Sequence, residues 1–411
     1  MSKIKIKNFG PIKEGYLEND GWLEVKKATM FIGNQGSGKS TVAKLISALS
    51  WIEKALVKGI IREDELNINN RFVKELAYQR IDKYLKDSTL IEYEGKAFSF
   101  LFTNGAFEAI KSASNGYLLP KIMYAPAERT FLSVVDRPDK LKNLPKTLYT
   151  FNDEFDAAKD LYADGLVLPI NNISFEYDKL NKIAHIVDES RSYKIRLSEA
   201  SSGFHSTVPL YLVTKYLSDR LTAEEDPSIQ ETSLEDQKKV DKLVKTIMND
   251  SSLTTEIRQS LLRQLSASRK PACFINIVEE PEQNLFPSSQ RSLLFELLSH
   301  TRAEGNKLII TTHSPYLVNY LSIAIQGAEL YSKLVEAKAL EIFKERLEKI
   351  IPVKSLVTAT DVVIYQMDET DGSIKKLPDY EGVPSDKNYL NESLRAGNGM
   401  FDSLLEIEQE L

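Results

Sequence analysis

Hydrophobic and polar residues along this 411-residue chain alternate with two periods, two and about 3.6. Ile4-Lys5-Ile6-Lys7 has the period of a half-buried strand, and Asn8-Phe9-Gly10-Pro11 carries turn residues. Tyr16–Leu17 and Ala28–Ile32 read as further strands, the second an unbroken apolar run like a strand covered on both faces. The period then lengthens, with Val42, Leu45, Ile46, Leu49, Ile52 and Leu56 at helical spacing. The same reading predicts a helix over Arg71–Lys86 and alternation over Leu90–Phe102. Strands follow at Lys121–Tyr124, Ile173–Tyr177 and Tyr193–Leu197, then a helix ending near Leu221. Two apolar strands, Ala272–Val278 and Leu308–Thr312, come next. A charged helical stretch over Lys333–Lys349, a hairpin from Val362–Met367 and Ser373–Leu377, and an acidic helix over Asn388–Leu411 close the chain. Strands interleaved with helices predict an α/β fold.

The segment Thr222–Lys270 breaks this rhythm. Val240, Leu243, Val244 and Ile247, then Leu253, Ile257, Leu261 and Leu265, mark two amphipathic helices joined at Asn249–Ser252. Each would span only about 24 Å. Such a hairpin suits docking, or packing on its own domain, rather than bridging DNA.

Composition narrows the class. Hydrophobic residues make up 42% and charged residues 27%, an ordinary folded mixture, and the length suits two or three lobes. A net charge of −6 gives no general attraction to nucleic acid or anionic membrane, though a local basic patch remains open. The single cysteine, Cys273, excludes an internal disulfide and a cysteine-based zinc site. No signal-peptide pattern opens the chain and no run approaches the roughly 18 apolar residues of a membrane span, so a cytoplasmic protein without a membrane partner is expected.

Chemistry enters at Gly33-Asn34-Gln35-Gly36-Ser37-Gly38-Lys39-Ser40-Thr41, which fits G-x4-G-K-[ST] between a strand and a helix. Its backbone N–H groups would wrap phosphates, Lys39 would reach the outer phosphate oxygens, and the Ser40 hydroxyl would ligate Mg²⁺. Strand Ala272–Val278 runs into Glu279-Glu280-Pro281-Glu282, and buried carboxylates at a strand end ask for a cation or a reaction. Glu279 would hold Mg²⁺ through water, and Glu280 would orient or deprotonate an attacking water. His313, after strand Leu308–Thr312, is placed for a γ-phosphate or that water. Ser202-Gly203 opens a helix and makes a second anion site; Leu197-Ser198-Glu199 is the other possible frame.

GNQGSGKST, ASSGFHS, FINIVEEPEQNLFP and TTHSP, in this order, resemble the ABC-type ATPase heads of the SMC, RecF and OLD group. The compact ATPases of bacterial anti-phage systems such as Septu and PARIS are the nearest in pattern. The resemblance implies an ATP- and Mg²⁺-dependent sandwich of at least two subunits, each giving Ser202 and Gly203 to the other's nucleotide. Ala125-Pro126-Ala127-Glu128-Arg129-Thr130 resembles a segment of these ATPases and would bring Arg129 near the nucleotide, or else form an exposed turn. Phe204 replaces the second signature glycine and Phe286 stands near a D-loop aspartate position, so turnover is expected to be slow or conditional.

The expected organisation is a P-loop NTPase with an ABC-type head, its sheet mixed and flanked by helices. The head is split over 1–221 and 271–326, with a helical-hairpin insertion at 222–270 and a small β-hairpin and helix extension at 327–411. The sequence shows no acidic triad of a Toprim nuclease; Asp368, Glu369 and Asp371 read as a turn. The resemblance therefore implies a regulatory ATPase for a separate effector nuclease or toxin, a Toprim nuclease in the PARIS case, released by a trigger such as a phage protein. A DNA-binding ATPase of the RecF kind is the alternative. A transporter subunit fits the insertions poorly.

Overall fold

The computed structural model describes residues 2–67, 70–113, 116–135, 138, 141, 143–171, 173–188, 190, 192–222 and 271–410. The hairpin expected within Thr222–Lys270 lies outside them from residue 223 onward.

The strands are β1 (Ser2–Lys7), β2 (Gly15–Tyr16), β3 (Leu23–Val25), β4 (Ala28–Gly33), β5 (Leu90–Glu94), β6 (Phe98–Thr103), β7 (Ala106–Lys111), β8 (Pro120–Ala125), β9 (Leu166–Val167), β10 (Ser174–Asp178), β11 (Ile183–Asp188), β12 (Tyr193–Arg196), β13 (Cys273–Glu279), β14 (Lys307–Thr312), β15 (Val362–Met367) and β16 (Ser373–Lys376). A seven-stranded central sheet runs β2-β16-β15-β4-β14-β13-β8, in which β15, β4, β14, β13 and β8 are parallel. Its central strands are covered on both faces, and alternate side chains sort into two cores. Phe31, Ile275, Ile277 and Ile309 pack toward helix α1 (Lys39–Val57) and the antiparallel sheet β3-β1-β5-β6-β7. Met30, Ile32, Phe274, Val278 and Ile310 pack on the other face with α4 (Lys146–Leu161), α5 (Ser202–Thr222), α6 (Pro287–Ser299) and α7 (Pro315–Glu336). Short helices α2 (Arg71–Tyr78) and α3 (Phe131–Val134) precede α4, while α8 (Leu340–Ile350) and α9 (Tyr389–Gln409) follow α7.

Several predicted elements change in detail. The helix expected over Arg71–Lys86 stops at Tyr78, and Arg80 adopts a left-handed backbone (φ +59°). The stretch over Lys333–Lys349 is the end of α7 and then α8, interrupted at Lys338 (φ +52°). The hairpin β15–β16 is present, but it is no appendage. β15 pairs in parallel with the P-loop strand, Val362 opposite Ala28 through Met367 opposite Gly33. Residues assigned to an extension thus complete the sheet beside the site. The acidic terminal helix is capped by Asn388, whose side chain accepts from Asn391 N at 3.0 Å.

Candidate functional site

The parallel strands deliver their C-terminal ends side by side, where loops of α/β sheets bind ligands. β14 lies between β4 and β13. Gly33, His313 and Glu279-Glu280 therefore converge, although 247 positions separate the first from the last pair.

After Gly33 the loop needs backbone shapes that side chains resist. Gly38, the residue before α1, has φ +98°, and a Cβ there would lie 2.6 Å from Ile12 Cδ1. Gly36 has φ +78° with open space around it. No side chain caps α1, so its first N–H groups keep their pull on an anion. Ser37 Oγ is buried without a hydrogen-bond partner. Lys39 Nζ donates to Gly33 O at 2.9 Å and Asn34 O at 2.8 Å, folded over the loop it would share with phosphates. Asn34 is held by Glu369, Nδ2 to Oε1 at 2.9 Å, and Gln35 N donates to Asn34 Oδ1 at 2.8 Å. Ser40 and Thr41 occupy the first turn of α1.

Burial pulls the Lys39 ammonium down to about 8, against the raising influence of Glu280, Glu282 and Glu369. A bound polyanion would push it back up, so binding takes up a proton once the free amine has lost one. ATP affinity should accordingly begin to fall near pH 8, by up to about tenfold per pH unit above it. Titration calorimetry across pH 7–9.5 checks this; a flat profile would mean that Lys39 stays charged over the whole range.

Glu279 is the last residue of β13, 4% exposed, and accepts from Ala127 N at 3.2 Å. Continued strand alternation would send Glu280 to the opposite face. Instead its backbone is left-handed (φ +43°), a conformation that costs a non-glycine residue about 1–3 kcal/mol. Its N–H still donates to Thr311 O at 2.9 Å. The carboxylate so placed has Oε1 3.6 Å from His313 Nε2. Burial and then the charge of Lys39 hold His313 below the usual imidazole range, so the ring is neutral at pH 7 and can share a proton with water.

Glu282 is a site residue that motif reasoning left without a role. Its Oε1 accepts from Thr312 Oγ1 and His313 N, both at 2.7 Å, and so fixes the turn carrying His313. Burial raises its carboxyl pKa, and Oε2 is buried without a partner. Its place as the last carboxylate of Glu-Glu-Pro-Glu was the available signal. Gln290 Oε1 accepts from Ser314 Oγ at 2.6 Å and braces the same turn from α6.

Arg129 is a correction. Expected beside the nucleotide or in an exposed turn, it is 0% exposed and makes no outward-facing surface. Its guanidinium donates to four carbonyls: Pro126 at 3.0 Å, Glu279 at 2.6 Å, Glu280 at 2.8 Å and Ser206 at 3.2 Å. The planar fork ties the end of β13 to the first turns of α5, and acts on the site by position rather than by contact. Arg129→Lys, with fewer donors and no fork, should lower kcat roughly 10- to 100-fold with little change in ATP affinity. Steady-state kinetics beside a binding titration separates this from general unfolding, which would weaken both.

Ser202 and Gly203 open α5, with Ser202 exposed. The alternative frame, Leu197–Glu199, is a separate 3₁₀ turn whose Leu197 O contacts His205 Nε2 at 2.9 Å. The signature turn backs onto the loop after Glu280: Ser206 Oγ donates to Gln283 O at 2.6 Å, and a Cβ on Gly203 would lie 3.1 Å from Asn284 O. Phe286, in the same loop, is 76% exposed.

The residues fit a nucleotide triphosphate with Mg²⁺. Ser37 offers an orphaned hydroxyl, and Ser40 and Glu279 are the hard oxygen donors that would hold the cation. No group of three or more His, Cys, Asp or Glu side chains suited to a metal occurs among the described residues.

Residues 261–319 match the family described as "AAA domain, putative AbiEii toxin, Type IV TA system". The chain itself has a mixed α/β fold in which the P-loop pattern joins β4 to α1. Similar solved structures include the SMC head domain from Thermotoga maritima, with 10% identity, 92% of this chain and 98% of that chain covered, and a TM-score of 0.39. Another is an Smc head domain bound to the C-terminal domain of ScpA derived from Pyrococcus furiosus, with 9% identity, coverage of 92% and 96%, and a TM-score of 0.37. A third is a dimeric post-hydrolysis state of an ATP-binding cassette bound to ADP and Pi, with 10% identity, coverage of 92% and 100%, and a TM-score of 0.30. No curated protein matches the chain. No helix among the described residues is long and apolar enough to cross a membrane.

Proposed function

We propose that this chain is an ATPase head that hydrolyses ATP in a site completed by a second copy of the chain, and that its cycle controls a separate toxic effector in anti-phage defence. The observation that carries the reading is the convergence of Lys39, Glu280 and His313 at three strand ends, beside a Ser202-Gly203 turn whose Ser202 is exposed and which backs on the loop after Glu280. ATP lies along Gly33–Thr41, with its phosphates on the loop N–H groups and Lys39. Mg²⁺, held by Ser40 and Glu279, would neutralise charge on the β- and γ-phosphates. Glu280 accepts the proton of the attacking water, and the neutral His313 steadies that water or the γ-phosphate. Ser202 and Gly203 of the second copy close over the γ-phosphate with a helix N-terminus.

The family description, which names a putative toxin and a toxin–antitoxin system, supports the defence role. Co-expression with the product of the adjacent gene, followed by mass measurement and a growth assay, tests the regulatory half. A stable complex is expected, with toxicity altered by Glu280→Gln. Absence of a complex, together with tight, steeply salt-dependent and ATP-dependent DNA binding, would instead establish a DNA-handling ATPase.

A further inference from the structure

At the N-terminal ends of the parallel strands, on the face covered by α1 but at the opposite end of the sheet from the P-loop, lies a half-open cavity of about 270 Å³. Its apolar wall includes Val25, Ile46, Leu118, Ile275 and Ile309. Polar groups interrupt that wall: Lys26, Lys27, Lys96 and Glu304 among them, and Glu53, Lys307 and Tyr117, whose hydrogen bonding differs. Glu53 is already satisfied, accepting from Tyr93 Oη at 2.9 Å and from the N–H groups of Ala97 and Phe98 at 2.7 and 3.2 Å. Lys307 and Tyr117 are not. Lys307 Nζ donates to Ser2 Oγ at 2.7 Å, and no carboxylate forms an ion pair with it among the described residues. The Tyr117 hydroxyl is buried with no hydrogen-bond partner. Both are donors, so the cavity combines an apolar body with unspent donor capacity and a positive charge.

We infer that this cavity binds a small aliphatic carboxylate, its chain on the apolar wall and its carboxylate on Lys307 and Tyr117. Size sets the length: at about 30 Å³ per water-sized group the space takes about nine non-hydrogen groups, near the size of octanoate. Charge sets the head group. Burial pulls Lys307 down to about 8, so an uncompensated ammonium is costly there and a carboxylate would relieve it. The charge of Glu53 offsets part of that cost, but its oxygens are taken by Tyr93 and two N–H groups and form no ion pair with Lys307. The site is separate from the nucleotide but shares its supports. Ile46, Ser50 and Glu53 belong to α1, which begins at Lys39, and β13 and β14 run from this cavity to Glu279 and Thr312.

Cys273, the chain's single cysteine, lines the same cavity and supplies a readout independent of activity. Burial pushes its thiol up to about 11, so alkylation is slow and occupancy slows it further. Octanoate should reduce the rate of Cys273 alkylation by N-ethylmaleimide at least fivefold in the full chain, and 1-octanol at equal concentration should not. Lys307→Met, which keeps the volume and removes the charge, should raise the octanoate concentration needed about tenfold, with ATP affinity unchanged. Tyr117→Phe should raise it less and serves if Lys307→Met does not fold. No protection by octanoate, equal protection by octanol, or protection unaltered in these variants would overturn the inference.

Discussion

Glu280→Gln should lower ATP hydrolysis about 10²- to 10⁴-fold, the range that a positioned general base contributes, while ATP still binds. The amide keeps the shape of the carboxylate but cannot take the proton of the attacking water. Two structural facts set this expectation. Glu280 occupies a left-handed backbone position that turns its carboxylate to within 3.6 Å of His313 Nε2. Arg129 then fixes its carbonyl at 2.8 Å. Strain at a non-glycine residue persists where the surroundings over-determine it, and here they do so at the side chain the reaction needs. Phosphate release by malachite green, beside a fluorescent-nucleotide titration, reads both quantities. Equal rates for the two proteins would remove Glu280 as the base.

Lys39→Ala should abolish detectable nucleotide binding, raising Kd by a factor of 10² or more. A buried hydrogen-bonded charge pair is worth about 2–5 kcal/mol when one partner is truncated. In the structure the ammonium spans Gly33 O and Asn34 O, so its loss also frees the two carbonyls that shape the loop. Both effects act in one direction. Thermal melting with and without ATP is the simplest check: the wild type should be stabilised by ATP and the variant should not. Equal ATP stabilisation of both would refute the P-loop assignment.

What the sequence made legible was local. Gly33–Thr41 joins a glycine spacing, a buried strand and a helix within a few residues, and each feature constrains the others. Short apolar runs likewise announced β13 and β14. What stayed hidden depends on partners far along the chain. Asn34 is held by Glu369, 335 positions away, and β15 enters the central sheet beside β4. Periodicity reports that a segment is covered, never by what. Arg129 shows the same limit: an arginine in a polar turn reads as exposed or as a ligand, and only the fold discloses four carbonyls around it. The role of Glu282 was hidden too, because its hydrogen bonds cross to a different strand end.

The claim that two copies complete one site rests on Ser202, exposed at the start of α5, and on Gly203 beside it, backed on the loop after Glu280. It is tested most directly by the solution mass of Glu280→Gln, which should bind ATP without consuming it. With ATP and Mg²⁺ the mass should rise to twice the 46.5 kDa of one chain or a multiple of that, and Ser202→Arg, which places a bulky side chain at the turn, should prevent the rise. A protein that binds ATP yet stays at the mass of a single chain would contradict the account.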